Sequence, residues 1–209
     1  PEQWPVSTVA GLGLLGDDLV FTNESFLKPM GVYVYRADSG GTEELPLAEE
    51  PPVNFDDVRV EREFATSKDG TTVPVNILIP EGSERDGSNP CLVTGYGGYG
   101  ISVVPRFNPS YRLLFDRGFV VAVANLRGGG EYGEEWHRAG NLTNKQNVFD
   151  DFAAVLQHLI DNKYTRPEKL GIIGGSNGGL LVGAVMTQRP DLFKVAQPGV
   201  GVLDMLRYH

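Results

Sequence analysis

Polar and apolar positions along the chain change their period several times. Short strand signals come first, at Asp18-Leu19-Val20-Phe21-Thr22 and Gly31-Val32-Tyr33-Val34-Tyr35-Arg36, the second ending in the turn Ala37-Asp38-Ser39-Gly40-Gly41. Val58, Val60, Arg62 and Phe64 then alternate with Arg59, Glu61 and Glu63, the pattern of a half-buried strand. Ser67-Lys68-Asp69-Gly70-Thr71 reads as a hairpin turn, after which Val73, Val75, Ile77 and Ile79 continue on one face. Cys91-Leu92-Val93-Thr94 and the unbroken run Phe119-Val120-Val121-Ala122-Val123-Ala124 read as buried strands, the second covered on both faces. A short helix is expected over Tyr111–Arg117, capped by Ser110 and stopped by Gly118. Helical spacing dominates from Asn147 to Lys163, where Val148, Phe149, Phe152, Val155, Leu156, Leu159 and Ile160 form one stripe. Asp151, His158 and Asp161 fall largely outside that stripe, and Asp150 and Asp151 read as its solvated side. Leu170–Ile173 is a further strand, Leu180–Met186 a further helix stopped by Pro190, and Val195–Val202 a last apolar segment.

Strands alternating with helices from about residue 70 predict an α/β fold, a doubly wound and mostly parallel sheet. Residues 1–50 read as a separate β-rich segment, too short to bury much of a core alone. Glu49-Glu50-Pro51-Pro52 is a linker candidate, so the expected division is 1–50 and 51–209.

Composition narrows the function. The chain has 209 residues, 41% of them hydrophobic and 22% charged, as in globular proteins. A net charge of −9 argues against a nucleic-acid partner. No apolar run reaches the ~18 residues that a membrane span needs. The single Cys91 excludes an internal disulfide and, sitting in an apolar run, reads as an inert buried thiol. No His/Cys/Asp spacing suggests a metal site, and no cofactor is expected. Asn23-Glu24-Ser25 and Asn141-Leu142-Thr143 fit the glycosylation pattern, as short matches do by chance. The chain begins at Pro1, which points to a fragment or processed product. A cytoplasmic monomer is the expectation, with periplasm and secretion left open.

The chemistry concentrates in Gly174-Gly175-Ser176-Asn177-Gly178, which satisfies G-x-S-x-G between an apolar strand and a helix. A nucleophile elbow and a glycine-rich phosphate turn both fit five residues; strand–turn–helix context favours the elbow. Gly95-Tyr96-Gly97-Gly98-Tyr99-Gly100 satisfies G-x-G-x-x-G, but Ile101-Ser102-Val103-Val104-Pro105 comes next, where a dinucleotide site needs a helix. An oxyanion loop, or a plain glycine turn, remains. Arg127-Gly128-Gly129-Gly130-Glu131 reads as a tight loop near the site, without the Lys-Ser/Thr of a phosphate cradle. His137 and His158 precede Ser176, whereas the triad order of this fold is Ser, Asp/Glu, His. Asp204 and His209 come after it only five residues apart, and both read as structural.

Together with Asn125–His137, Asn144-Lys145-Gln146-Asn147 and Gln188–Phe193, these motifs resemble the peptidase domain of the prolyl oligopeptidase family from about Ser67 to His209. The β-rich start is similar to the last part of that family's β-propeller, so the fold class implied is an incomplete α/β-hydrolase sheet. The resemblance implies a serine endopeptidase acting on short proline-containing peptides. Ser176 would be the nucleophile, the Tyr96 hydroxyl and Asn177 N–H the oxyanion hole, and Tyr99 and Val202 part of the proline pocket. It places the catalytic Asp and His beyond this chain, so the 209-residue piece alone is expected to be inactive. Oligopeptidase B-like, acylaminoacyl-releasing or esterase activity on the same scaffold is the alternative, as is a protein that kept the elbow without its partners. Gly98 and Asn177 stand where oligopeptidase B tends to carry Ser and Ala, which favours the prolyl reading.

Overall fold

The computed structural model describes residues 6–48 and 50–207. They group into two compact units, one of the described residues up to Val60 with Val104–Asp116, the other of Glu61–Val103 with the described residues from Arg117 on. The expected division is 1–50 and 51–209; this grouping by proximity runs to 60 and takes a segment from mid-chain into the first unit.

The first unit carries four antiparallel strands, β1 (Ser7–Leu15), β2 (Asp18–Ser25), β3 (Gly31–Tyr35) and β4 (Thr42–Leu45), side by side in chain order. That is the size and topology of one propeller blade. Phe21 faces Tyr33 across the β2–β3 ladder, their rings stacked with centroids 5.7 Å apart. β1 and β4 give no clear alternation in the sequence. Both lie at the edges of this small sheet, and most of the β1 side chains are exposed, so nothing imposes a two-residue period. Phe55, Phe107 and Phe115 pack as a cluster, with centroids 4.7 and 5.0 Å from Phe55. The helix expected at Tyr111–Arg117 is shorter. A 3-10 turn at Pro109–Tyr111 leads into α1 (Arg112–Phe115), and the cap is Asn108, whose side chain accepts from the Ser110 N–H.

The second unit is a six-stranded sheet of β5 (Val58–Thr66), β6 (Thr72–Pro80), β7 (Cys91–Gly95), β8 (Val120–Ala124), β9 (Leu170–Gly175) and β10 (Val195–Gly199), in the order β10-β9-β7-β8-β6-β5. β7, β8, β9 and β10 run parallel, and β6 is antiparallel to β8. This is the sheet of an α/β-hydrolase domain in part, as the alternation of strands and helices predicts. β8 is buried along its whole length, as its unbroken apolar run requires. β6 differs from expectation. Its sequence reads as apolar on one face, yet Asn76 and Leu78 are as buried as Val75 and Ile77, because β6 lies inside the sheet with both faces covered.

Helices accompany the strands, with α2 (Glu134–Arg138), α3 (Gln146–Asp161) and α4 (Asn177–Gln188) in this unit. α3 presses Val148, Phe152, Val155, Leu156 and Leu159 into the core, and α4 adds Leu181, Val182 and Val185. The placement of Asp151 on a solvated side is overturned: it is fully buried, inside the apolar stripe. Among the described residues no helix is long and apolar enough to cross a membrane.

Candidate active site

Ser176 sits where β9 ends and α4 begins. Its backbone adopts φ 56°, ψ −117°, a region that non-glycine residues occupy only when the surrounding structure forces them into it. Two hydrogen bonds do so. The Ser176 N–H donates to the Gly199 carbonyl at 3.0 Å, and the Ser176 carbonyl accepts from the Leu180 N–H at 3.1 Å, starting the helix. The side chain does not cap α4, and the residue is exposed. The turn needs glycine in front of it: a Cβ on Gly174 would collide with the Gly178 carbonyl oxygen. Strand and helix thus cross without a side chain between them, leaving the hydroxyl at the positive end of α4.

The loop after β7 is tied to this turn. Asn177, the first residue of α4, is buried, and its carboxamide NH2 donates to the Tyr96 carbonyl at 2.5 Å. The Lys145 ammonium, at the start of α3, donates to the Gly97 carbonyl at 2.8 Å and to the Asn177 carboxamide oxygen at 3.1 Å. Gly98 leaves room for that carboxamide, since a Cβ there would run into its nitrogen. Tyr96 is half-buried. Tyr99 is 64% exposed and lines a cleft of about 630 Å³ with Gly98, His137, Lys145, Asn177 and Val202. The fold therefore gathers Tyr99, Asn177 and Val202 on one cleft, which reaches the serine turn through Asn177, although Val202 lies far along the chain from Tyr99. A second cleft, about 650 Å³, runs along the other side of α3 between Lys68, Gln146, Asp150 and Arg189, away from the serine.

The loop Arg127–Glu131 is a buried charge assembly. The Arg127 guanidinium forks onto Asp151 and reaches Asp69, while the Arg127 N–H donates to the Asp151 carboxylate at 3.2 Å. Hydrogen bonds from Arg127 hold the Asp69 carboxyl well below the usual carboxylate range, and those to Asp151 raise the guanidinium further. Glu131 accepts from the Val103 N–H at 2.9 Å and from Asn125 at 3.1 Å.

Among the described residues no histidine hydrogen-bonds Ser176. His137 packs near Gly100 and Glu134, and His158 pairs with Glu63 at 2.7 Å. Asp204 is exposed and ion-paired with Arg207 at 2.7 Å, and His209 lies outside the described residues. In the sequence Lys145 stands out only as part of a motif; its contact with the turn depends on where the fold sets the start of α3. No group of three potential metal ligands occurs among the described residues.

This geometry has close counterparts. The family description "Prolyl oligopeptidase family" (Peptidase_S9) matches residues 105–209. The chain belongs to the prolyl oligopeptidase family. It is 45% identical over 194 residues to a prolyl endopeptidase of Elizabethkingia meningoseptica, covering 92% of this chain and 27% of that protein. A solved prolyl endopeptidase structure superposes with a TM-score of 0.92 at 46% identity, covering 99% of this chain and 31% of the other. A post-proline cleaving enzyme from Rickettsia typhi gives a TM-score of 0.85 at 35% identity, covering 97% and 29%. The chain thus spans about a quarter of the length of the curated relatives it matches.

Proposed function

We propose that this segment carries the nucleophile of a serine endopeptidase that cleaves short peptides on the carboxyl side of proline. The observation that carries it is the Ser176 turn: a strained, exposed serine at the N-terminus of α4, whose next residue, Asn177, lines a cleft with Tyr99 and Val202. A base takes the proton of the Ser176 hydroxyl as its oxygen bonds to the carbonyl carbon after proline. The resulting oxyanion accepts from the Asn177 N–H and the Tyr96 hydroxyl. Collapse expels the amine, which leaves with the proton from the base, and water then hydrolyses the ester. The ring of Tyr99 and the side chain of Val202 hold the proline by shape, where each misfitting group costs only ~1–3 kcal/mol. On this reading the acid and base come from outside residues 1–209, as the relatives' greater length allows. The relatives named prolyl endopeptidases support proline over arginine or a simple ester.

The test is a fluorophosphonate and a substrate panel on the protein as its full gene encodes it. We expect one label, on Ser176, and hydrolysis of a Gly-Pro reporter well above an Arg reporter or an acyl ester. Ser176→Ala should abolish both, by a factor of order 10⁴ or more in turnover. Label elsewhere, or preference for Arg, overturns the reading. Residues 1–209 expressed alone should turn over no Gly-Pro reporter.

A further inference from the structure

Among the described residues the Lys145 ammonium is a cation with no counterion. No carboxylate pairs with it, and its two acceptors are both neutral, the Gly97 carbonyl at 2.8 Å and the Asn177 carboxamide oxygen at 3.1 Å. Lys145 is half-buried, and taking a charge even partly out of water without an opposite charge is destabilising. Burial accordingly pulls the Lys145 pKa down to about 8. A perturbed titratable group on the wall of a cleft is a candidate functional position, and its contacts decide the role.

Its contacts say what it does. Asn177 fastens the Tyr96 carbonyl and Lys145 the Gly97 carbonyl, so two successive carbonyls of the loop are held from α4 and α3. Lys145 also fixes the carboxamide that makes the first of those bonds. The loop has no slack beneath it, because a Cβ on Gly97 would collide with Val148 of α3. Tyr96 and Asn177 are the two residues that would bind the oxyanion, and Lys145 is the group that joins their segments. Its two hydrogen bonds run to the Gly97 carbonyl and the Asn177 carboxamide and none runs to Ser176, the contact pattern of a group that holds the loop and not of one that takes the serine proton.

We propose that Lys145 is a positioning residue of the acyl-transfer site, clamping the Tyr96 loop onto the Asn177 turn so that both oxyanion donors stay in register. This rests on the reading of Ser176 given under Proposed function. A preorganised donor pair acts in the transition state and not on the bound substrate, so its loss should appear in kcat.

The experiment compares the unmutated full-length enzyme with Lys145→Met, which keeps the length and apolar stem of the side chain. We expect kcat on a Gly-Pro reporter to fall ~10–100-fold, as an ångström-scale misplacement does, with KM within about twofold. A peptidyl prolinal, whose aldehyde carbon takes the Ser176 oxygen and whose oxygen becomes the oxyanion, should lose the same factor in affinity. A non-covalent peptide ending in proline should bind both forms equally. Lys145→Gln, which keeps an uncharged NH2 donor on a shorter side chain, should fall between the two and serves in place of Lys145→Met should that variant not fold. A loss confined to KM, or equal losses for the prolinal and the non-covalent peptide, assigns Lys145 to substrate binding and overturns the inference. So does a variant that matches the unmutated enzyme. If the unmutated enzyme neither hydrolyses the reporter nor takes fluorophosphonate on Ser176, the reading of the serine fails and this one with it.

Discussion

At the scale of single residues, space and charge decide. Gly174 is needed because the Gly178 carbonyl oxygen occupies the space that a Cβ would take. Gly174→Ala should therefore force β9 and α4 apart, costing at least about 1–3 kcal/mol in thermal or urea unfolding, and should slow fluorophosphonate labelling more than it lowers stability. Cys91 is fully buried at the start of β7, and burial pushes its thiol up to about 12. Maleimide at about pH 7.5 should leave it unmodified in the native protein and label it once in denaturant. For Lys145 the sign runs two ways. Its folded pKa of about 8 lies below the ordinary 10.5, so the unfolded chain keeps the proton longer and this lysine's contribution to stability rises from pH 8 to 10.5. Over the same rise the clamp loses its charge, and kcat should fall with a midpoint near 8. His137 and Tyr99 line the same cleft, and a limb that persists in Lys145→Met belongs to them or to another group.

At the scale of elements, α3 shows how a helix can be read correctly and still be misjudged. Its apolar stripe is evident from spacing, and Val148, Phe152, Val155 and Leu159 are buried as that stripe requires. Charge alone argues for Asp151 outside the stripe. Its spacing says otherwise, three residues after Val148 and four before Val155, which is the same face of a helix. The partner that makes its burial tolerable, Arg127, comes from the loop after β8, 24 residues away, and periodicity within one element cannot reveal it. Removing one member should be severe. Arg127→Met strands the Asp151 carboxylate in the core and should destabilise by ~3–5 kcal/mol in denaturant melts. Arg127→Met combined with Asp151→Leu should recover most of that, because the charge left alone, more than the bond lost, is what destabilises. The helix α2 is invisible to the sequence for a different reason: it has five residues, none buried, so no apolar period is there to find.

At the scale of the whole molecule, acidity sets the response to pH. Net charge is −9, and several carboxylates are held low by arginines: Asp69 by Arg127, Asp57 by Arg112 and Asp191 by Arg189. A carboxylate whose folded pKa is depressed contributes stability above its unfolded value and loses it as pH falls through the folded one. The thermal midpoint should accordingly be nearly flat from about pH 6 to 8 and fall below about pH 4, the ordinary carboxylate range, with Asp69→Asn flattening part of that fall. The carboxylates of these pairs are exposed even where the arginine is buried, so each adds little, and added salt should blunt the effect. The sequence by itself determined the parallel sheet, its buried central strand, the α3 stripe and the Ser176 turn. Each of these is written in neighbouring residues, as a period or as glycines around one serine. The shared cleft of Tyr99 and Val202 was legible only through the family resemblance, and only the tertiary structure decided that Arg127 claims Asp151 and that Lys145 joins the Tyr96 loop to Asn177. Those depend on groups far apart in the chain, whose partners are chosen by the order of strands and not by local spacing.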